Sequence, residues 1–227
     1  MIPYGRQEIS EQDIEAVVAV LRSDFLTQGP MVPQFEQALA SKVGATHAVA
    51  VNSATSALHI ACLALELGQG DWLWTSPVTF VASANCALYC GAQVDFVDID
   101  PRTYNLCPVA LERKLIEAEK QGRLPKVVVA VHLCGQPCDM QAIGALAKRF
   151  GFAVIEDALA VVEIVLPLNA QVGGVVKIPI ECRPGGEGLG AVILVMKIGF
   201  PKNCPIGSER LEVVANIERG MRFKGLV

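Results

Sequence analysis

The sequence predicts an α/β protein, a three-layer sandwich around a mostly parallel sheet, and three observations carry that prediction. From residue 46 to residue 157, apolar strand segments alternate with helical ones, the pattern that parallel neighbours need for their crossovers. Apolar residues make up 52% of the 227 and charged residues only 19%, which suits a sheet covered on both faces and excludes a disordered chain. Lys126 to Leu133 is an almost unbroken apolar run, the mark of a strand buried on both sides. In such a sheet ligands collect at the carboxyl ends of the strands.

In chain order, residues 11 to 23 place Ile14, Val17, Val18 and Leu21 at helical spacing behind Ser10, with Asp13 in the first turn: a capped amphipathic helix. Leu26-Thr-Gln-Gly-Pro30 breaks it. A second helix runs from about Pro33 to Val43, with proline in its first turn and Gly44 at its end. A valine- and alanine-rich strand then ends at Asn52, and small and hydroxyl residues open a helix reaching Leu67. Trp72 to Thr75 is a short strand, and Ser76 to Phe80 is a loop that opens a helix to about Cys90. Gln93 to Val97 is a strand. A helix at 108 to 120 has the charged face of a solvated element. The Lys126 to Leu133 strand follows, then a helix from Pro137 to Phe150 and a strand from Ala153 to Ile155 ending at Glu156-Asp157.

Beyond Ala158 the pattern degrades. Val161 to Leu168 and Ala191 to Met196 are strand candidates, Gly173-Gly174 and Pro184-Gly185-Gly186 are turns, and Ser208 caps a final helix to about Arg219.

A net charge of −4 without a Lys/Arg run argues against nucleic acid as a partner. The uncharged stretches 43 to 65 and 72 to 94 hold Asn, Ser, Thr or Pro centrally, so neither reads as a membrane span. The opening lacks a basic segment followed by an apolar core, which points to a cytoplasmic protein. The eight cysteines are scattered through apolar segments and read as reduced and buried. Cys86/Cys90 and Cys134/Cys138 have metal-like spacing but lack further ligands at recognisable positions, so no metal is expected.

The chemistry centres on the turn of Ser53, Ala54, Thr55 and Ser56. A helix start leaves backbone N–H groups without intrahelical partners and carries partial positive charge, which makes the turn a candidate phosphate cradle. Taken alone, it also reads as the N-cap of any α/β protein. The turn, Phe80, His132 and Asp157 all follow strands and can converge on one pocket. A Rossmann-type nucleotide module would want Gly-x-Gly-x-x-Gly after the first strand, and Asn52-Ser-Ala-Thr-Ser-Ala57 lacks it.

Four pieces in order, Leu26-Thr-Gln-Gly-Pro30, Asn52-Ser-Ala-Thr-Ser-Ala-Leu58, Ser76-Pro-Val-Thr-Phe-Val-Ala-Ser-Ala-Asn85 and Glu156-Asp-Ala158, resemble the DegT–StrS family of sugar-nucleotide aminotransferases. These are fold-type I enzymes that use pyridoxal 5′-phosphate, and the likeness runs from residue 1 to about 158. With Ile2-Pro-Tyr-Gly-Arg-Gln7, the second piece looks most like the branch that aminates C4 of a UDP-4-keto-6-deoxy-N-acetylhexosamine on the way to pseudaminic acid.

The resemblance implies a large domain over 1 to 227, divergent at 159 to 207 and weakly matched again at 208 to 220. It implies glutamate as amino donor, a nucleotide-linked keto sugar as acceptor, and a homodimer. By resemblance, the N–H groups of Ala54 and Thr55, with Ser56, hold the cofactor phosphate, Phe80 stacks on the pyridine ring, and Asp157 pairs with the ring nitrogen. Without the family Phe80 reads as a core aromatic and Asp157 as a loop or cap residue. His132 is either near the ring or structural, and His47 and His59 are structural.

Family members also carry a lysine that bonds the cofactor and moves the proton, in Ser-Phe-His-x-x-Lys followed by Thr-Thr-Gly-Glu-Gly-Gly. Here Lys177 in Val172-Gly-Gly-Val-Val-Lys-Ile178 is the candidate, with Glu187-Gly188 echoing the later motif. The preceding Ser and His are absent, the gap to Glu187 is long, and Leu159-Ala160 replaces the pair expected after Ala158. Lys197 and Lys202 compete. The smaller carboxy-terminal domain of the family has no counterpart in these residues, which reads as a fragment or an altered carboxy-terminal part. Two alternatives follow: an inert cofactor-binding scaffold, or a sugar dehydratase in which histidine replaces the lysine. The latter is disfavoured because no histidine follows His132.

Overall fold

The computed structural model describes residues 9–27, 29–43, 45, 47–158, 175–180 and 189–195, the last two segments and Val43 by their backbone alone. Six helices and seven strands occur among these residues: α1 (Glu11–Leu21), α2 (Met31–Val43), β1 (His47–Val51), α3 (Ala54–Ala64), β2 (Trp72–Thr75), α4 (Ala82–Tyr89), β3 (Gln93–Phe96), α5 (Pro108–Lys120), β4 (Val127–Val131), α6 (Met140–Phe150), β5 (Ala153–Ala158), β6 (Val175–Ile180) and β7 (Leu189–Val195). The strands form one sheet in the order β1-β7-β6-β5-β4-β2-β3. All run the same way except β6, which is antiparallel to both neighbours.

The core is two-sided, as the sequence predicts for three layers. Successive residues of a strand point to opposite faces, and β4 shows this directly. Val127, Val129 and Val131 pack with Leu58, Ala61, Cys62, Cys86 and Ala87 of α3 and α4. Val128 and Ala130 pack with Leu111, Leu115, Ile143, Leu146 and Phe150 of α5 and α6.

Helix boundaries follow their caps. Ser10 and Asp13 form a reciprocal capping box at α1, with the Ser10 N–H donating to Asp13 Oδ2 at 2.8 Å. α3 stops at Ala64 instead of Leu67 because Glu66 takes a left-handed φ of 55°, letting the Leu67 N–H close back on the Cys62 carbonyl at 3.0 Å. α6 starts at Met140 and not Pro137, since the Asp139 side chain accepts the Ala142 N–H at 3.0 Å. Between β4 and α6 lies a single 3-10 turn, Leu133–Gly135, where the expected strand has already ended. β5 is longer than its apolar run and takes in Glu156, Asp157 and Ala158.

Two further corrections concern the second half. β6, around Lys177, is a strand the sequence pattern does not announce, and β7 begins two residues earlier than expected. The strand at 161 to 168, the turns at 173–174 and 184–186, Glu187-Gly188, Lys197, Lys202 and the helix from Ser208 lie outside the described residues. Among the described residues no helix is long and apolar enough to cross a membrane.

Candidate cofactor site

The turn at the carboxyl end of β1 is a built cap. Ser53 Oγ accepts the Ser56 N–H at 3.1 Å, and Ser56 Oγ donates to Asn52 Oδ1 at 2.9 Å. Ser56 Oγ has then spent its only proton, so the Ser53 hydroxyl donates to it across their 2.9 Å contact. The Ser56 N–H is therefore occupied. The Ala54 and Thr55 N–H groups, in the first turn, have no acceptor within the helix and stand at its positive end. Ala54, Thr55 and Ser56 are all half-buried, within reach of solvent.

Phe80 lies in the loop between β2 and α4 and is 70% exposed, which excludes the reading as a core aromatic. Asp157, in the last turn of the pleat of β5, is 7% exposed. Ser83 on α4, wholly buried, donates its hydroxyl to Asp157 Oδ2 at 3.0 Å, and Thr79 Oγ1 lies 2.9 Å from Ser83 Oγ. This bond ties α4 to β5 on the face where α3 also packs, so the cap, the Phe80 loop and the carboxylate belong to one side and one end of the sheet. Sequence reasoning misses Ser83 and Thr79, whose partner is 74 residues away from Ser83.

Glu156 turns to the opposite face. Its Oε2 lies 3.2 Å from His132 Nε2, and the Cys138 backbone N–H donates to His132 Nδ1 at 3.1 Å. With both ring nitrogens engaged and only 7% exposed, His132 is a structural clamp. The Cys138 side chain and the Glu156 carboxylate raise its pKa, to about 9, against the opposing effect of burial. The Cys138 N–H also works against that rise, because a proton on Nδ1 would face it; the two hydrogen bonds fit the Nε2–H tautomer donating to Glu156.

His59 packs edge-on to Tyr89, ring centroids 5.4 Å apart, and burial lowers its pKa. His47 begins β1 and is exposed. Lys177 sits on β6 opposite Glu156, one residue out of register with Asp157, whose partner there is Val176.

The cysteines are only partly as expected. Cys62, Cys86 and Cys138 are buried, Cys90 and Cys107 half-buried, and Cys134 exposed at a left-handed φ of 52°. The neighbouring Cys86 side chain, burial and Cys90 all push the Cys62 thiol up, which keeps it protonated and inert. Among the described residues no three His, Cys, Asp or Glu side chains gather as a metal site.

This donor set fits a flat, phosphorylated heteroaromatic cofactor: N–H groups at a helix start for a phosphate, an exposed phenyl face for a ring, and a buried carboxylate for a ring nitrogen. The model of the DegT/DnrJ/EryC1/StrS aminotransferase family matches residues 7–164. The spore coat polysaccharide biosynthesis protein SpsC of Bacillus subtilis (strain 168) is 45% identical over 157 residues, 69% of this chain and 39% of that one.

A DegT DnrJ EryC1 StrS aminotransferase from Brucella abortus shares 33% identity at a TM-score of 0.63, over 65% of this chain and 40% of that one. The ntda protein of Bacillus subtilis, solved with bound cofactor PMP, shares 33% identity at a TM-score of 0.58, over 64% of this chain and 32% of its own. The chain thus spans about two fifths of the length of its curated relative SpsC. On the family match across most of its length, the chain belongs to the DegT/DnrJ/EryC1/StrS aminotransferase family.

Proposed function

We propose that the chain is the cofactor-binding portion of a pyridoxal 5′-phosphate-dependent sugar-nucleotide aminotransferase, moving an amino group from glutamate to C4 of a UDP-4-keto-6-deoxy-N-acetylhexosamine. The observation that carries the reading is the placement of an uncovered helix start, an exposed phenyl ring and a buried carboxylate on one side and at one end of the sheet. The Ala54 and Thr55 N–H groups, with Ser56 buttressing the turn, hold the phosphate. Phe80 covers one face of the ring and excludes water from it. Asp157 holds a proton at the ring nitrogen, because a carboxylate in a dry site favours the charged neighbour. Bound in this way, the cofactor supplies the electron sink for amino transfer.

Lys177 is the proposed amine that bonds the cofactor and then moves a proton to and from the reacting carbon. Its strand neighbours the Asp157 strand, but its register opposite Glu156 places it on the sheet face turned away from Asp157, so the assignment rests on the family resemblance and the labelling experiment decides it. A homodimer in the cytoplasm completes the proposal, by likeness to the family.

The test is uptake of pyridoxal phosphate by the purified chain, followed by borohydride reduction and peptide mapping. A visible absorption band and a label fixed on Lys177 are the expected result. A label on Lys197 or Lys202 would move the chemistry to that residue. Cofactor that washes away unreduced would sink the aminotransferase reading and leave a scaffold that keeps the cradle without the reaction.

A further inference from the structure

We propose that Thr79 and Ser83 are positioning residues that lock Asp157 to the loop carrying Phe80, so that carboxylate and aromatic platform hold a fixed relation. The inference rests on the reading of this end of the sheet as a pyridoxal phosphate site and extends it to residues with no part in the cradle.

Ser83 Oγ has one proton, and Asp157 Oδ2, an acceptor when ionised, takes it at 3.0 Å. Thr79 must then donate across its 2.9 Å contact with Ser83 Oγ. The chain of donors runs Thr79 to Ser83 to Asp157. A second tie is in the backbone, where the Ser83 N–H donates to the Phe80 carbonyl at 3.1 Å. Phe80 is thus held between Thr79, its chain neighbour, and Ser83, while the same Ser83 grips the carboxylate.

The lock is rigid for two reasons. Ser83 is wholly buried on α4, on the same helix as the buried Ala82, Cys86 and Ala87. Hydrogen bonds to a charged acceptor in a dry setting are also stronger than neutral ones. A flat ring presents its face to the phenyl group and its edge to the carboxylate, so the fit depends on the relation between those two groups. Thr79 and Ser83 set it without touching the ring.

The experiment compares the wild-type chain with Ser83→Ala, Thr79→Val and Thr79→Ser. The Asp157 carboxyl is titrated by carbon-detected NMR without cofactor, and pyridoxal phosphate affinity is followed by fluorescence. Removing the donor in Ser83→Ala is expected to raise the carboxyl midpoint by about one unit and weaken cofactor binding about tenfold.

Thr79→Val, which keeps shape and loses the hydroxyl, moves both readouts the same way by less, and Thr79→Ser restores them. That rescue separates positioning from packing. An Asp157 midpoint and cofactor affinity unmoved in both Ser83→Ala and Thr79→Val would overturn the proposal, as would a Thr79→Ser chain that behaves like Thr79→Val. If Ser83→Ala does not fold, the two Thr79 variants decide alone. The carboxyl titration needs no cofactor, so a wild-type chain that takes up no pyridoxal phosphate would sink the reading of the pocket while the lock is still judged on Asp157.

Discussion

On one face of the sheet, α3 and α4 lay mostly small side chains, Ala57, Ala61, Cys62, Ala82, Ser83, Cys86 and Ala87 with the single larger Leu58, against the strands. On the other, α5 and α6 lay down Leu111, Leu115, Ile143, Leu146 and Phe150. Both faces are dry, yet they do different jobs. Small side chains bring a helix close to the sheet, close enough for the hydroxyl of Ser83 to reach a strand carboxylate. Large ones fill volume and exclude water, and they supply most of the burial free energy. Adjacent residues of β5 report the division: Asp157 faces the small-residue helices and the candidate cofactor site, Glu156 faces the other way and clamps His132.

The sharpest way to break this comparison is to hollow out the large-residue face. Leu115→Ala removes a fully buried side chain and is expected to cost about 2–5 kcal/mol. The pyridoxal phosphate affinity of the folded protein should stay put. Denaturant midpoints and fluorescence titration measure the two quantities, and a collapse of affinity would show that the faces are not separable. The complementary variant, Ala57→Leu, overpacks the small-residue face beside the cap. About 1–3 kcal/mol of stability should go, and cofactor binding should weaken with it, because α3 must move away from the sheet.

Local signals made half of this division readable in the sequence. The cap at Ser53 and the unbroken apolar run of β4 are defined by residues within a few positions of one another, so spacing alone finds them. What escaped was set by distant partners. β5 extends to Ala158 because Asp157 and Glu156 pair with Val131 and Ala130, and nothing in Glu-Asp-Ala itself asks for a strand. β6 contains Pro179 and Lys177 and owes its strand geometry to β5 and β7 on either side. α6 starts late because Asp139 caps it, its side chain accepting the Ala142 N–H. The Ser83–Asp157 bond has no sequence trace beyond two polar residues in apolar segments.

A smaller effect comes from the clamp on the far face. Glu156→Gln removes a charge that raises the His132 pKa, so the ring's titration midpoint, read by NMR, should fall from the wild-type value. The sign of the linked stability follows. A histidine whose pKa is raised when folded contributes stability that is fully present below its ordinary 6.5 and is lost as the pH climbs through the higher folded value. Wild type and variant should therefore differ most in acid and converge in mild alkali. Cofactor affinity at neutral pH should be unmoved, since the clamp faces away from the site; a loss there would join the two faces again.

The smallest effect belongs to the amino ends of the strands, where Lys126 Nζ meets Asp71 Oδ2 at 2.8 Å and the Glu66 carbonyl at 2.6 Å. Burial alone would raise the Asp71 pKa, but the Lys126 ammonium and the Gly68 N–H outweigh it and hold the carboxyl below its ordinary 3.8. A lowered carboxylate contributes stability that is present above 3.8 and disappears as the pH falls through the lower folded value. Both partners are about a third exposed, so solvent screening limits the pair to roughly 1 kcal/mol or less. Lys126→Met should therefore cost under about 1 kcal/mol at neutral pH, and the gap should shrink in acid and in high salt. A gap that persists once Asp71 is protonated would assign the loss to the Glu66 carbonyl contact that closes α3, because that hydrogen bond does not titrate with Asp71.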